Sequence, residues 1–280
     1  MTPQQHWATS PRGGTGQTFM AKDISPQAVV SPNAKIGDGC KIYPFVYIED
    51  NVEIGENCVI FPFVSILNGT KMGHDNEVHQ GTVLGAQPQD RDFTGEDTNL
   101  TIGNNNTFRE NVVINRATCS NRQTVIGNNN LLMEGSHVNH NTKLGDRNVL
   151  GYGTKIAGNC EIGDGVIFSS SVIEGAGTRV GSLAMIQAGT TFYKDIPPYI
   201  IAGGKPIIYG GPNATTMTAW NIDKKVQKHI ANAYRLVFHG QNSVLDAVLQ
   251  INDQVPDSPE IRNIVKFIQS SEKGIISKIM

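Results

Sequence analysis

Little in this 280-residue sequence points towards a charged partner or a membrane. Only 17% of the residues are charged and the formal net charge is −2. There is no long basic run, which argues against a nucleic-acid binder. No stretch approaches the roughly 18 apolar residues that a spanning helix needs. Residues 1–20, rich in Gln, Thr, Gly and Pro, lack the apolar segment of a secretory signal and read as a disordered extension, with Met20 as an alternative start. Cysteine is scarce, and four of them without a signal suggest free thiols in a reducing compartment, the cytoplasm. Helical periodicity is missing before about residue 200. The 30 glycines show no every-third spacing, so a collagen-like chain is excluded.

What is present is a repeat. Aliphatic-glycine pairs at Ile36-Gly37, Ile54-Gly55 and Met72-Gly73 are 18 residues apart. The same spacing returns at Ile126-Gly127, Leu144-Gly145, Ile162-Gly163 and Val180-Gly181, with Ile102-Gly103 between the two series. Inside each 18 an apolar residue recurs every six: Ile36, Ile42, Ile48, Ile54, Ile60, Ile66. Six fits neither a helix nor a two-sided strand. It suits a coil with three short flat faces, each sending one aliphatic inward and stacking on its neighbours at roughly 4.8 Å. This pattern resembles the left-handed parallel β-helix of hexapeptide-repeat proteins, and the handedness comes from that resemblance. Cys40, Cys58 and Cys160 share the fifth place of their hexads with Ala28, Ala34, Val46, Val52 and Thr70, a small inward position, so they read as core.

Two interruptions single out one edge. Between Leu84 and Ile102 there are twelve residues more than the repeat requires, and between Ile114 and Ile126 there are six more. Both insertions follow a third hexad, so both leave the prism at the same edge, which in a solenoid is usually the working side. The third positions of the third hexads, Arg116, His140, Gly158 and Ala176, should stack in one column, with His137 approaching the same corner. Two histidines beside two insertions make a candidate site. Zinc is the competing use, with His74 and His79 joining them. The coil at Met72 lies two coils below that at Ile126, roughly 10 Å away, so no metal site is expected.

Around these loops the strings Gln89-Asp90, Gly95-Glu96, Arg109-Glu110, Val113-Ile114-Asn115-Arg116, Asn130-Leu131-Leu132-Met133, His137-Val138-Asn139-His140, Ala157-Gly158 and Pro197-Pro198-Tyr199-Ile200-Ile201-Ala202 resemble the UDP-N-acetylglucosamine O-acyltransferase family that begins lipid A synthesis. The likeness is collinear from about residue 23 to Asn232-Ala233-Tyr234. It implies acyl transfer from an acyl-carrier-protein thioester to a sugar 3-hydroxyl, with no cofactor beyond that co-substrate, in a homotrimer with sites between prisms. His140 matches the general base, a role that imidazole suits at working pH. The Gly158 N–H matches the oxyanion donor. Gln89, Asp90, His137 and Asn159 match or stand at substrate-contacting positions, Asn213 matches a nucleotide contact, and Ala188 stands where the family sets acyl-chain length.

Several residues depart from the family pattern. Asn141 replaces an Asp that orients the base, a task left to an amide oxygen. Asn115 and Asn159 replace His, and Asp92 replaces a Lys. Glu174-Gly175-Ala176 replaces an apolar residue followed by His-Gln, and Glu174 falls on an inward hexad position, so either the register slips or a carboxylate faces the site. Ala219 and Trp220 replace basic residues. These leave open a divergent paralogue acting on another nucleotide sugar, or a catalytically weak trimeric scaffold.

The domain reading is an extension over 1–20, a β-helix over 21–200 and a helical domain over 201–280. In the last, Val226, Ile230, Ala233, Tyr234 and Val237 fall at helical spacing, as do Leu245, Val248 and Leu249, then Ile261, Ile264, Val265 and Ile268. Asp257 or Ser258 should cap the final helix ahead of Pro259. Lys224, Lys225, Lys228 and Arg235 form a basic face suited to an acidic carrier protein, or simply to water.

Overall fold

The computed structural model describes residues 21–240 and 243–276, so the extension expected over 1–20 lies outside the described residues. Most of the repeat strands are two residues long, an outward residue followed by an inward aliphatic, as in Lys41–Ile42, Tyr47–Ile48 and Glu53–Ile54. The inward residues Ile42, Ile48, Ile54, Ile60 and Ile66 are all buried. Strands 18 residues apart pair in parallel, setting Ile42 on Ile60, Ile48 on Ile66 and Ile54 on Met72. Three ladders of 11, 9 and 8 strands result, one per prism face. The six-residue period therefore produces one continuous aliphatic core, with Cys40, Cys58 and Cys160 buried in it as expected.

Turning the corner needs a residue in the left-handed region. Asn51, Asn57, Asn105, Asn129, Asn141 and Asn159 supply it with φ between 56° and 62°, since Asn tolerates this region better than most L-residues. Asn is also used inside the prism. Asn76 Oδ1 accepts from the backbone and side-chain N–H groups of Asn106, and Asn106 Oδ1 accepts in the same way from Asn130. Asn130 Oδ1 then accepts from the Asn148 backbone N–H at 2.8 Å. Asn130→Ala orphans that buried N–H, and denaturant unfolding should show a loss of about 1–3 kcal/mol.

Both insertions appear where the count placed them. Strands Val83–Ala86 and Val113–Asn115 belong to the nine-stranded sheet, while Leu100–Ile102 and Thr124–Ile126 belong to the eight-stranded one. The two loops thus leave at the same edge. Arg116 pins the longer one, donating to Thr98 Oγ1 and the Gly85 carbonyl beneath the ring of Phe93.

The damaged hexad does not slip. Glu174 stays in register between Ile156 and Phe192 and is 1% exposed. Its carboxyl points into the prism, where Oε1 accepts from Thr178 Oγ1 at 2.8 Å. Neither alternative drawn from the sequence holds: the register is intact, and the carboxyl group faces the core rather than the site.

Strand Ile200–Gly203 still pairs in parallel with Met185–Ile186, then turns back antiparallel to Ile208–Pro212. The helices follow: α1 (Ala214–Ala219), α2 (Lys224–Phe238), α3 (Val244–Gln254) and α4 (Pro259–Gln269). Asp223 caps α2 and Ser258 caps α4, with Pro259 in the first turn. Tyr234 of α2 is fully buried and donates to the Pro198 carbonyl at 2.6 Å, tying the helices to the prism. Lys224, Lys225, Lys228 and Arg235 lie on the exposed side of α2. Leu245 and Leu249 depart from the expected pattern: both face outward on α3.

Candidate active site

His140 lies where the chain passes from the nine-stranded to the eight-stranded sheet, beside both insertions. The pairing of Val138 with Ile156 puts Gly158 one coil above it. A Cβ at Gly158 would stand 2.5 Å from His140 Cε1 and 2.7 Å from Nε2, so the ring occupies the space that any other residue's side chain would need. The predicted column is therefore a contact between the two residues. Among the described residues the Gly158 N–H has no acceptor, which leaves it free for an oxyanion.

His140 is 7% exposed. Burial holds its pKa below the ordinary imidazole value; the Asp90 carboxylate pulls the other way, and Arg122 adds to the lowering. Its Nε2 faces Asp90 Oδ2 at 3.7 Å, and its Nδ1 faces Asn141 Nδ2 at 3.0 Å. Asp90 is itself positioned by accepting the Asp92 N–H at 3.0 Å. His137, on the strand leading to His140, is pushed down to about 4, mainly by burial and further by Lys155 and His140, and is neutral at working pH.

Asn159 stands one coil above Asn141, and its Oδ1 accepts from Arg122 Nη1 at 2.6 Å and from Asn141 Nδ2 at 3.2 Å. Gln89 is exposed on the longer insertion next to Asp90. Thus His140, Gly158, Asn141, Asn159, Asp90 and His137 share one edge. Asn213 and Ala188 do not join them. Asn213 caps α1, accepting from the Thr216 N–H, and donates Nδ2 to the Leu183 carbonyl. Ala188 follows strand Met185–Ile186 of the 11-stranded sheet and so belongs to a different prism edge. Trp220 ends α1 against Gly165, with Arg147 over its ring at 5.3 Å. Asn115 is buried and donates to the Gln87 carbonyl at the root of the longer loop. Thr118, Arg122 and Asn139 complete the surroundings of the base and were not anticipated. The first two lie on the six-residue insertion, so its edge position was the signal that could have found them.

A bacterial transferase hexapeptide model of six repeats matches residues 123–158, and a GMPPB C-terminal domain model matches 24–134. A UDP N-acetylglucosamine O-acyltransferase domain 2 model matches residues 195–276. An acyl-[acyl-carrier-protein]–UDP-N-acetylglucosamine O-acyltransferase from Myxococcus xanthus is 39% identical over 253 residues, covering 90% of this chain and 98% of that protein. The chain belongs to this acyltransferase family. The crystal structure of a UDP-N-acetylglucosamine acyltransferase from Bacteroides fragilis matches with a TM-score of 0.89 and 46% identity, over 90% of this chain and 99% of that one. The corresponding acyltransferase from Francisella novicida gives a TM-score of 0.87 at 29% identity, over 91% of this chain and 94% of that one. In this acyltransferase the prism is the parallel β-solenoid that the six-residue repeats implied, followed by the C-terminal helices. The departure at Glu174 is absorbed by its core, while that at Asn141 touches the ring of His140 directly.

Proposed function

We propose that this chain transfers a 3-hydroxyacyl group from acyl carrier protein to the 3-hydroxyl of UDP-N-acetylglucosamine, the first step of lipid A synthesis, in the cytoplasm. The observation that carries the reading is the His140 ring seated on Gly158, whose N–H is free, at the edge marked by both insertions. In the reaction the sugar oxygen attacks the thioester carbonyl carbon and the hydroxyl proton leaves. The Gly158 N–H stabilises the resulting oxyanion, the C–S bond breaks, and the sulfur takes up a proton. His140 takes the hydroxyl proton as general base, with the Asp90 carboxylate beside its Nε2 at 3.7 Å, and returns it to the sulfur, while His137, Gln89 and Asn159 contact the acceptor sugar. No metal or organic cofactor takes part.

The working form is a homotrimer. Ala188 lies on another prism edge, so it limits acyl length only by reaching the cleft from a neighbouring copy. The exposed Lys224, Lys225, Lys228 and Arg235 of α2 receive the acidic carrier protein. No helix among the described residues is long and apolar enough to cross a membrane.

Purified protein incubated with UDP-N-acetylglucosamine and a panel of 3-hydroxyacyl carrier proteins should give an acylated nucleotide sugar by mass spectrometry. Absence of product across chain lengths, with both 3-hydroxy and 3-amino sugars, overturns this reading.

A further inference from the structure

The edge that carries His140 is closed on one side and open on the other. Below the ring, in the same column, stands Arg116, which pins the longer insertion through Thr98, the Gly85 carbonyl and Phe93. Above it the column continues with Gly158 and Ala176, and neither has a side chain beyond Cβ. A substrate whose hydroxyl lies at His140 therefore has room to run upward, over the turn Gly175-Ala176-Gly177. Strand pairing of Ile156 with Glu174, and the Gly177 N–H donating to the Gly158 carbonyl at 3.0 Å, put this turn one coil above Gly158. The step is roughly 5 Å, about the distance across a sugar ring.

Two side chains from elsewhere in the chain close over this turn. Tyr193, which follows strand Thr191–Phe192, lays its ring against Gly175, where a Cβ would stand 2.4 Å from Tyr193 Cδ1 and 3.2 Å from Cε1. The ring is otherwise open, at 70% exposure. Lys273 comes from the segment after α4, and a Cβ at Gly177 would stand 3.1 Å from its Cε and 3.6 Å from its Nζ. Buried Asp195 holds that segment on both sides of Lys273. It accepts from Ser271 Oγ at 2.8 Å and donates its backbone N–H to the Gly274 carbonyl at 3.0 Å. Among the described residues the Lys273 ammonium has no ion-pair or hydrogen-bond partner, although its backbone is fixed. Between the two side chains lies exposed Ala176, whose N–H has no acceptor among the described residues.

These groups share a chemistry. An unpaired ammonium and a free backbone N–H both donate to phosphate oxygens. An open aromatic face suits a planar base. A fatty chain gains nothing from either donor. We propose that Lys273 and the Ala176 N–H hold the diphosphate of the acceptor nucleotide, and that Tyr193 offers its ring to the pyrimidine. A sugar with its 3-hydroxyl at His140 then sends its phosphates one coil up, and the base beyond them meets a ring rooted one coil higher still. Tyr193 and Lys273 are specificity residues for the acceptor, and Asp195 is the positioning residue for Lys273. The inference rests on UDP-N-acetylglucosamine as the ligand of this edge, and not on acyl transfer to it.

Calorimetric titration of the full chain with UDP-N-acetylglucosamine and with UDP tests this without turnover. Lys273→Ala should weaken both ligands about 10-fold, and Lys273→Arg, which keeps the charge, should stay within about 3-fold of the wild type. Tyr193→Ala should also weaken both about 10-fold, whereas Tyr193→Phe, which keeps the flat face, should change neither by more than about 3-fold. Both side chains lie at the surface, so the thermal midpoints should not move. In steady-state assays the KM for the nucleotide sugar should rise by the same factors, with the KM for acyl carrier protein unchanged. Wild-type affinity in Lys273→Ala or Tyr193→Ala overturns the inference, and so do equal losses in Tyr193→Phe and Tyr193→Ala. A rise confined to the KM for acyl carrier protein overturns it too, because the cation then serves the donor. A wild-type chain that binds neither ligand removes the inference together with its acceptor. Binding weakened as expected, but with no acylated product, upholds the inference and overturns the transfer alone.

Discussion

Gly158→Ala should lower kcat by about two to three orders of magnitude while leaving the thermal midpoint within a few degrees of the wild type. The added Cβ would lie 2.5 Å from His140 Cε1 and 2.7 Å from Nε2, closer than any carbon contact permits. The ring has to swing off the position from which it handles the proton, and the Gly158 N–H moves with it. Folding is little affected, because Gly158 is not in the left-handed region and pairs through Ile156 as before. His140→Ala removes the ring altogether and should cost about 10²–10⁴ in kcat. Since the first change acts mainly by displacing what the second removes, the double variant should be no slower than the slower single one. Steady-state rates for the three variants, with thermal unfolding alongside, check both claims. A Gly158→Ala enzyme of normal rate would show that the seating of the ring on Gly158 has no catalytic role.

The prism was legible because a six-residue period maps each aliphatic to one inward place, and no other regular structure does so. The active edge was legible for a related reason. An insertion shifts the count by a measurable number, so Leu84–Ile102 and Ile114–Ile126 disclosed which corner they leave, and hexad arithmetic alone brought His140 under Gly158. Hydrogen-bond polarity was not legible. The direction of the Asn141 amide depends on Thr118, 23 residues away, and on Arg122 acting through Asn159, 37 residues from it. Nothing in local spacing encodes which end of an amide meets a backbone N–H. The same holds for Asn213, whose side chain caps α1 and holds the Leu183 carbonyl, contacts that no spacing in the sequence encodes. Leu245 and Leu249 fit a helical stripe but lie on the outward face of α3, since periodicity identifies a helix without saying which side packs.

Unfolding free energy should fall as pH rises from about 5 to 8, and Glu174→Gln should abolish most of that fall. Glu174 replaces an inward aliphatic at the end of a strand, wholly enclosed between Ile156 and Phe192. Thr178 satisfies one carboxyl oxygen, and Oε2 has no partner. Burial pushes the group up to about 8 from its ordinary 4.5, with the nearby Asp195 adding a smaller push. The folded chain therefore carries a proton that the unfolded chain releases above about 4.5. Stability from this group is fully present below 4.5, declines through the interval, and is gone above about 8, because in that window the native state binds the extra proton. At 1.36 kcal/mol per unit, the gap corresponds to a loss on the order of 5 kcal/mol. The same buried carboxyl helps hold the Cys160 thiol, already raised by burial, at about 12, so the sulfur stays a neutral neighbour throughout. Glutamine keeps the shape and the contact with Thr178 but has no proton to lose. Denaturant unfolding at pH 5, 7 and 9 should show a declining wild type and a nearly level Glu174→Gln, with the variant the more stable at pH 9. Parallel pH profiles for the two proteins would mean that the Glu174 carboxyl is already ionised in the folded prism.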